Sequence, residues 1–141
     1  IGVTGVQTCA LPICVQRKDP ESRDKSVEKL RKYLQQGISI LIYPEGTFNM
    51  VNTPLSTFYN GAFRLAIETQ TPIKPLIFLD AYDRMNYSTL FSMNPGLSRA
   101  VYLEEVPVTG LTLNELDQLK ERVYRSMEAY LIEKKATWIK L

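Results

Sequence analysis

Histidine is missing from the 141 residues of this chain. Its absence excludes a Ser/His/Asp triad, a Cys/His pair and a His-ligated metal site for the chain as it stands. Charge of one sign is also lacking: 17 Lys and Arg stand against 15 Asp and Glu, a net charge of +2. That balance is too small to point to nucleic acid, and no stripe of Arg and Lys interleaved with aromatics supplies the footprint of a nucleic-acid site. The longest apolar run begins at Ile38 and falls far short of the roughly 20 residues a helix needs to cross a bilayer. Cysteine is limited to Cys9 and Cys14. What remains is an ordinary mixture, 45% hydrophobic and 23% charged, in a length that suits one domain with a real core.

The first residues stand apart. Val3 to Ile13, VTGVQTCALPI, reads like the one-frame translation of a ligated sequencing adapter joined upstream of a truncated gene. The other reading is a short strand and turn followed by a second strand. On the first reading residues 1–14 are an artefactual segment and 15–141 form the C-terminal part of a domain. The spacing of Cys9 and Cys14 is then no sign of a metal site, a disulfide or a redox compartment. The segment also lacks the basic start and sustained apolar stretch of a secretory signal.

From residue 19 the pattern becomes regular. Asp19-Pro20-Glu21-Ser22 predicts a helix start, Val27, Leu30 and Leu34 form one stripe, and Gly37 supplies the stop. Lys25, Lys29, Arg31 and Lys32 make that helix basic, giving a solvated face or one that contacts a membrane. Ile38 to Tyr43 has the composition of a strand buried on both faces. Residues 62–68 predict a short helix, and its start points backbone N–H groups toward the loop before it. Residues 71–79 predict a second strand, with Lys74 facing either a ligand or solvent, and Arg99 to Val106 a third. Between them, Asp80 to Gly96 carries Tyr82, Tyr87, Phe91 and Met93, either an interfacial patch or a loop folded onto the core. Thr112 to Glu115 has the form of a capping box, and Leu116, Leu119, Val123, Met127, Tyr130 and Leu131 give the last helix its buried stripe.

The chemistry concentrates after Tyr43. Pro44 ends the strand, and Glu45-Gly46-Thr47 place a carboxylate, a permissive backbone and a hydroxyl in succession at its carboxyl end, where open α/β sheets bind ligands. Taken by spacing alone, the same residues are equally an ordinary turn with Glu45 solvated or capping a neighbouring helix. YPEGT after such a strand, however, resembles the third motif of the glycerol-phosphate acyltransferase family, usually a proline followed by Glu-Gly-Thr-Arg. Phe48 stands where that arginine is expected. Val15-Gln16-Arg17 resembles the tail of the family's second motif, and the segment containing Pro72 and Pro75 resembles its fourth. The first motif, a histidine separated by four residues from an aspartate, has no counterpart here.

The resemblance implies a fold, a site and a reaction. The fold is α/β, with a mostly parallel central sheet flanked by helices and a right-handed crossover between the strands at Ile38 and residue 71, in a single layered domain lacking its N-terminal part. Glu45, Gly46 and Thr47 would shape the floor of the acceptor site, Arg17 would bind a phosphate, and Pro72 and Pro75 would line the acyl region. The parent protein would transfer a fatty acyl group from acyl carrier protein or coenzyme A, the thioester co-substrate, to lysophosphatidic acid or a related lysolipid. It would need no cofactor or metal and would work at a membrane surface on the cytoplasmic face. In the family the histidine takes the proton of the acceptor hydroxyl, so this chain, lacking it, is expected to be inactive. Two other classes fit the residues: a non-catalytic lipid-binding or membrane-associating module, and a different α/β enzyme using Glu45 as a general acid or base, as a glycosidase might, with a second carboxylate about 5 to 10 Å away, for which Asp80 is the evident candidate.

Overall fold

A computed structural model describes residues 20–47, 49–50, 53–85 and 93–136. They fall into two compact units, Ile1–Ile40 and Leu41–Leu141.

The smaller unit is built on helix α1, Pro20–Gln35. Proline in the first turn costs no hydrogen bond, and Glu21 beside it meets the positive end of the helix. Val27, Leu30 and Leu34 share one half-buried stripe, as their spacing predicts. The basic residues are largely matched on their own helix: Lys25 pairs with Glu21 at 2.6 Å and Arg31 with Glu28 at 2.7 Å. Exposed pairs of this kind contribute a few tenths of a kcal/mol each, roughly. At the far end Gly37 takes φ +75°, its N–H reaches Leu34 O and the Ile38 N–H reaches Tyr33 O, both at 3.0 Å. This is a Schellman ending, and it needs a residue that tolerates the left-handed region.

The larger unit contains α2 (Gly61–Thr69), β1 (Leu76–Phe78), the single turn α3 (Ala81–Arg84), β2 (Ala100–Tyr102), one turn of 3-10 helix (Leu113–Glu115) and α4 (Leu116–Glu133). The strand expected over Ile38 to Tyr43 does not form: Ile38, Leu41 and Tyr43 are 49%, 60% and 65% exposed. A strand gains stability from the ladder it shares and the layers that cover it, and none of the described residues pairs with this run. β propensity without a partner is not enough.

Nor is a parallel pairing present among the described residues. β1 pairs antiparallel with β2, Leu76 opposite Tyr102 and Phe78 opposite Ala100. The two strands are consecutive in the chain and run in opposite directions. The pairing continues past Pro75, whose carbonyl accepts from the Leu103 N–H at 2.9 Å, to a bridge between Ile73 and Val106. The register shifts by one residue on the way, so Glu104 and Glu105 stand opposite Lys74, a β-bulge. Proline supplies no N–H, and the bulge falls where the ladder lacks that donor.

The core lies between α2, α4 and one face of this ladder. Phe63, Ala66 and Ile67 of α2 and Leu119, Val123 and Leu131 of α4 are buried with Ile77, Val106 and Val108. Leu116, Met127 and Tyr130 pack against them, so the stripe read from the sequence is the buried stripe. The capping box is also present: Glu115 accepts from the Thr112 N–H at 2.8 Å. Arg125 bonds Glu121 at 2.6 Å on the outer face.

Helix α2 ends on Gln70 at φ +52°, with the Thr71 N–H on Ala66 O at 3.0 Å. The Gln70 side chain donates to Leu111 O at 3.0 Å and accepts from the Gly110 N–H at 2.7 Å, tying the helix end to the turn over Val108 to Leu111. That turn closes with the Leu111 N–H on Val108 O, and Gly110 occupies it at φ +81°. A Cβ at Gly110 meets no atom within 4 Å, so the cost of adding one is conformational alone. Gly110→Ala should lower stability by about 1 kcal/mol in urea unfolding; an unchanged midpoint would show that the turn does not need the left-handed conformation.

Candidate functional site

The loop following Tyr43 is closed from within. A turn over Tyr43 to Gly46 is made by the Gly46 N–H on Tyr43 O at 3.1 Å, with Pro44 fixing its first corner and Gly46 at φ +65°. The chain then runs out and returns to the same place. The Tyr59 N–H donates to Pro44 O at 2.9 Å, and the Ser56 N–H donates to Glu45 Oε2 at 2.7 Å. Glu45 is half-buried and holds the far limb of its own loop. Burial pushes its carboxyl above the usual carboxylate range, opposed by the hydrogen bonds from Ser56.

Beside this loop lies a groove of about 680 Å³ whose lining includes Thr47, Ser56, Thr57, Tyr59, Lys120 and Tyr124. The loop supplies hydroxyls and α4 supplies the opposite side. Phe58 fixes the two together: it is buried, stacks on Phe63 at 6.0 Å and meets the Tyr124 ring edge-on at 5.1 Å. The Tyr124 hydroxyl donates to Leu55 O at 3.2 Å, and burial pushes its pKa up. The Lys120 ammonium donates to Asn60 Oδ1 at 2.8 Å, which answers what Asn60 does at the head of α2.

Among the residues expected to form a site, the structure brings Glu45, Gly46 and Thr47 to one loop at the groove. Pro72 is exposed and Pro75 is buried in the β ladder, and neither lines the groove. Lys74 faces solvent. Arg17 and Phe48 lie outside the described residues, as do Tyr87, Phe91 and the segment from Val3 to Ile13. Lys120 and Tyr124 were not legible as site residues. They sit one helical turn apart beside Leu119 and Val123, and only the packing of α4 against the loop turns that flank toward the groove.

Asp80 does not serve as a second carboxylate for Glu45. It accepts from Arg99 three times, from Nη2 at 2.7 Å, from Nε at 2.9 Å and from the backbone N–H at 2.8 Å. The Arg99 side-chain hydrogen bonds hold its carboxyl down at about 2, so it stays an ionised partner of Arg99 rather than an acid or base. The pair ties the start of α3 to the start of β2. Among the described residues no group of His, Cys, Asp and Glu could hold a metal ion, and no helix is long and apolar enough to cross a membrane.

Residues 9–79, half of the chain, match the Acyltransferase family. The chain belongs to that family. Among its relatives, the 1-acyl-sn-glycerol-3-phosphate acyltransferase beta of Homo sapiens is 32% identical over 96 residues, which cover 68% of this chain and 34% of the relative. The human alpha form is 32% identical over 100 residues, 71% of this chain and 35% of its own length. The chloroplastic enzyme BAT2 of Brassica napus, also a 1-acyl-sn-glycerol-3-phosphate acyltransferase by name, is 25% identical over 114 residues, 80% of this chain and 32% of the relative. The chain thus spans about a third of the length of these curated relatives. No solved structure matches it.

Two expectations follow from the carboxylates. Asp80 is lowered from 3.8 to about 2 on folding, so its contribution is present above the unfolded value and is lost as pH falls from there toward 2. Asp80→Asn should flatten that acid limb of the stability profile in urea unfolding; an unchanged limb would assign the acid sensitivity elsewhere. Glu45→Ala leaves the Ser56 N–H without its acceptor and should cost about 1 kcal/mol, whereas Glu45→Gln, which keeps an acceptor oxygen, should cost less. Equal losses in the two variants would mean that the hydrogen bond is not what closes the loop.

Proposed function

We propose that the parent protein transfers a fatty acyl group from an acyl carrier protein or coenzyme A thioester to lysophosphatidic acid or a related lysolipid. The observation that carries this reading is the closed loop of Glu45, Gly46 and Thr47 on the rim of a hydroxyl-lined groove, in a chain whose relatives are named for acylation of 1-acylglycerol 3-phosphate. The groove receives the acceptor, and Thr47 with the neighbouring hydroxyls meets its glycerol and phosphate oxygens. Glu45 acts by holding Ser56 and its limb of the loop in place. Arg17 adds a cation to the phosphate, and the region of Pro72 and Pro75 borders the acyl chain. The work is done at a membrane surface on the cytoplasmic face; exposed Tyr82, Met85, Met93 and Leu97 near the β1–β2 connection suit an apolar boundary. In the whole protein Ile38 to Tyr43 takes its place in a parallel sheet.

The chain as it stands binds but does not turn over, because a hydroxyl attacks a thioester at a useful rate only when a base removes its proton, and no histidine is present to do so. A second reading, a lipid-binding module without catalysis, is favoured by the same lack of histidine beside an intact groove. Incubation of the chain with a labelled acyl thioester and lysophosphatidate should give no acylated product. A full-length protein carrying a histidine and an aspartate in the missing motif should give product, and Glu45→Ala in it should impair acceptor use with the fold retained. Activity of that variant at the unmutated level would remove Glu45 from the site, and a full-length protein that binds lysolipid without turnover would establish the second reading.

A further inference from the structure

The groove meets an anionic acceptor with one cation among the described residues that line it, Lys120. Phe48 follows Thr47 in the sequence, so the motif loop brings no cation at that point. Lys120 reaches the groove from α4. Its ammonium is positioned, not loose: Asn60 Oδ1 holds it at 2.8 Å and Asp117 Oδ1 at 3.0 Å. The lysine side chain is 26% exposed, while the Asp117 side chain is 83% exposed. An ion pair with so wet a partner is weak and is readily exchanged for a phosphate, which carries more charge and more acceptor oxygens.

The surroundings agree with an anion at this place. Glu121, the carboxylate lining the groove, is already bonded to Arg125 at 2.6 Å. Asn60 precedes α2 yet gives that helix no side-chain cap; its oxygen is committed to Lys120. The Asn60 side chain therefore does not cap the first N–H groups of α2, and a Cβ added at Gly61 meets nothing within 4 Å. Positive potential from the helix end adds to that of the ammonium.

We propose that Lys120 is the phosphate ligand of the acceptor site, supplying from α4 a positive charge that the residues from Pro44 to Phe48 do not bring. The inference rests on the acyltransferase reading of the groove. Binding of a short-chain lysophosphatidate, kept below its micelle concentration, would be measured by calorimetry on the full chain, with the monoacylglycerol of the same acyl chain as the comparison. Lys120→Met, which retains the length of the side chain, should weaken lysophosphatidate binding about tenfold to a hundredfold and leave the monoacylglycerol unchanged. Lys120→Arg should recover most of the loss. If Lys120→Met binds lysophosphatidate as tightly as the unmutated chain, or loses both amphiphiles equally with its circular dichroism unchanged, Lys120 is not the phosphate ligand while the acyltransferase reading stands. If the unmutated chain binds neither amphiphile, the reading of the groove falls and this inference with it.

Discussion

The burial of Phe58 is the constraint on which the larger unit depends. It sits between Phe63 of α2 and Tyr124 of α4, so a single side chain from an otherwise irregular segment is locked into the contact between the two helices. Fully burying a phenylalanine contributes on the order of 2 to 3 kcal/mol, several times what any exposed ion pair here supplies. Because Phe58 cannot move, its neighbours Ser56, Thr57 and Tyr59 cannot move far either. The Glu45 to Ser56 and Tyr59 to Pro44 hydrogen bonds then close a loop whose far limb is already anchored, which greatly reduces the entropy those bonds must offset.

The two carboxylates singled out by their places after apolar segments turn out to be opposites. Asp80 is matched to a guanidinium in a bidentate geometry and stabilises the fold most when ionised. Burial penalises the ionised form of Glu45 more than the hydrogen bonds from Ser56 favour it, so the folded chain binds its proton more tightly than the unfolded chain does. Its ionisation therefore draws down stability as pH rises through the folded value, the reverse of the Asp80 case. A carboxylate in such a place suits a structural clamp that tolerates either protonation state, since the Ser56 N–H has an acceptor oxygen in both.

What was legible in the sequence follows from what is local. The stripe of α4, the Thr112 to Glu115 box, the stop at Gly37 and the short helix over residues 62–68 depend on spacings within one or two turns, and all are present. The motif loop was also legible, because proline, a carboxylate and glycine in that order favour a turn by themselves. The strand at Ile38 was not, since a strand's existence depends on a neighbour that its own residues do not specify. The antiparallel partner of β1 and the bulge at Pro75 escaped for the same reason. Lys120 and Tyr124 were hidden differently: on α4 they read as the flank of a core stripe, and nothing in their spacing says that a loop some sixty residues earlier packs against that flank.

Binding and chemistry are separable in this fold because different physical effects sustain them. The groove is held by aromatic burial and by hydrogen bonds that close on main-chain groups, and none of these requires a titrating base. None of the contacts of Phe58, Glu45 and Tyr124 involves an imidazole. On the proposed reading, turnover can therefore be lost without loss of the shape of the groove. The converse does not hold, since a base beside a collapsed loop has no oriented hydroxyl to act on. The described fold stands without a histidine, and on the proposed reading the Glu45 loop is the part that must be right before any base can matter.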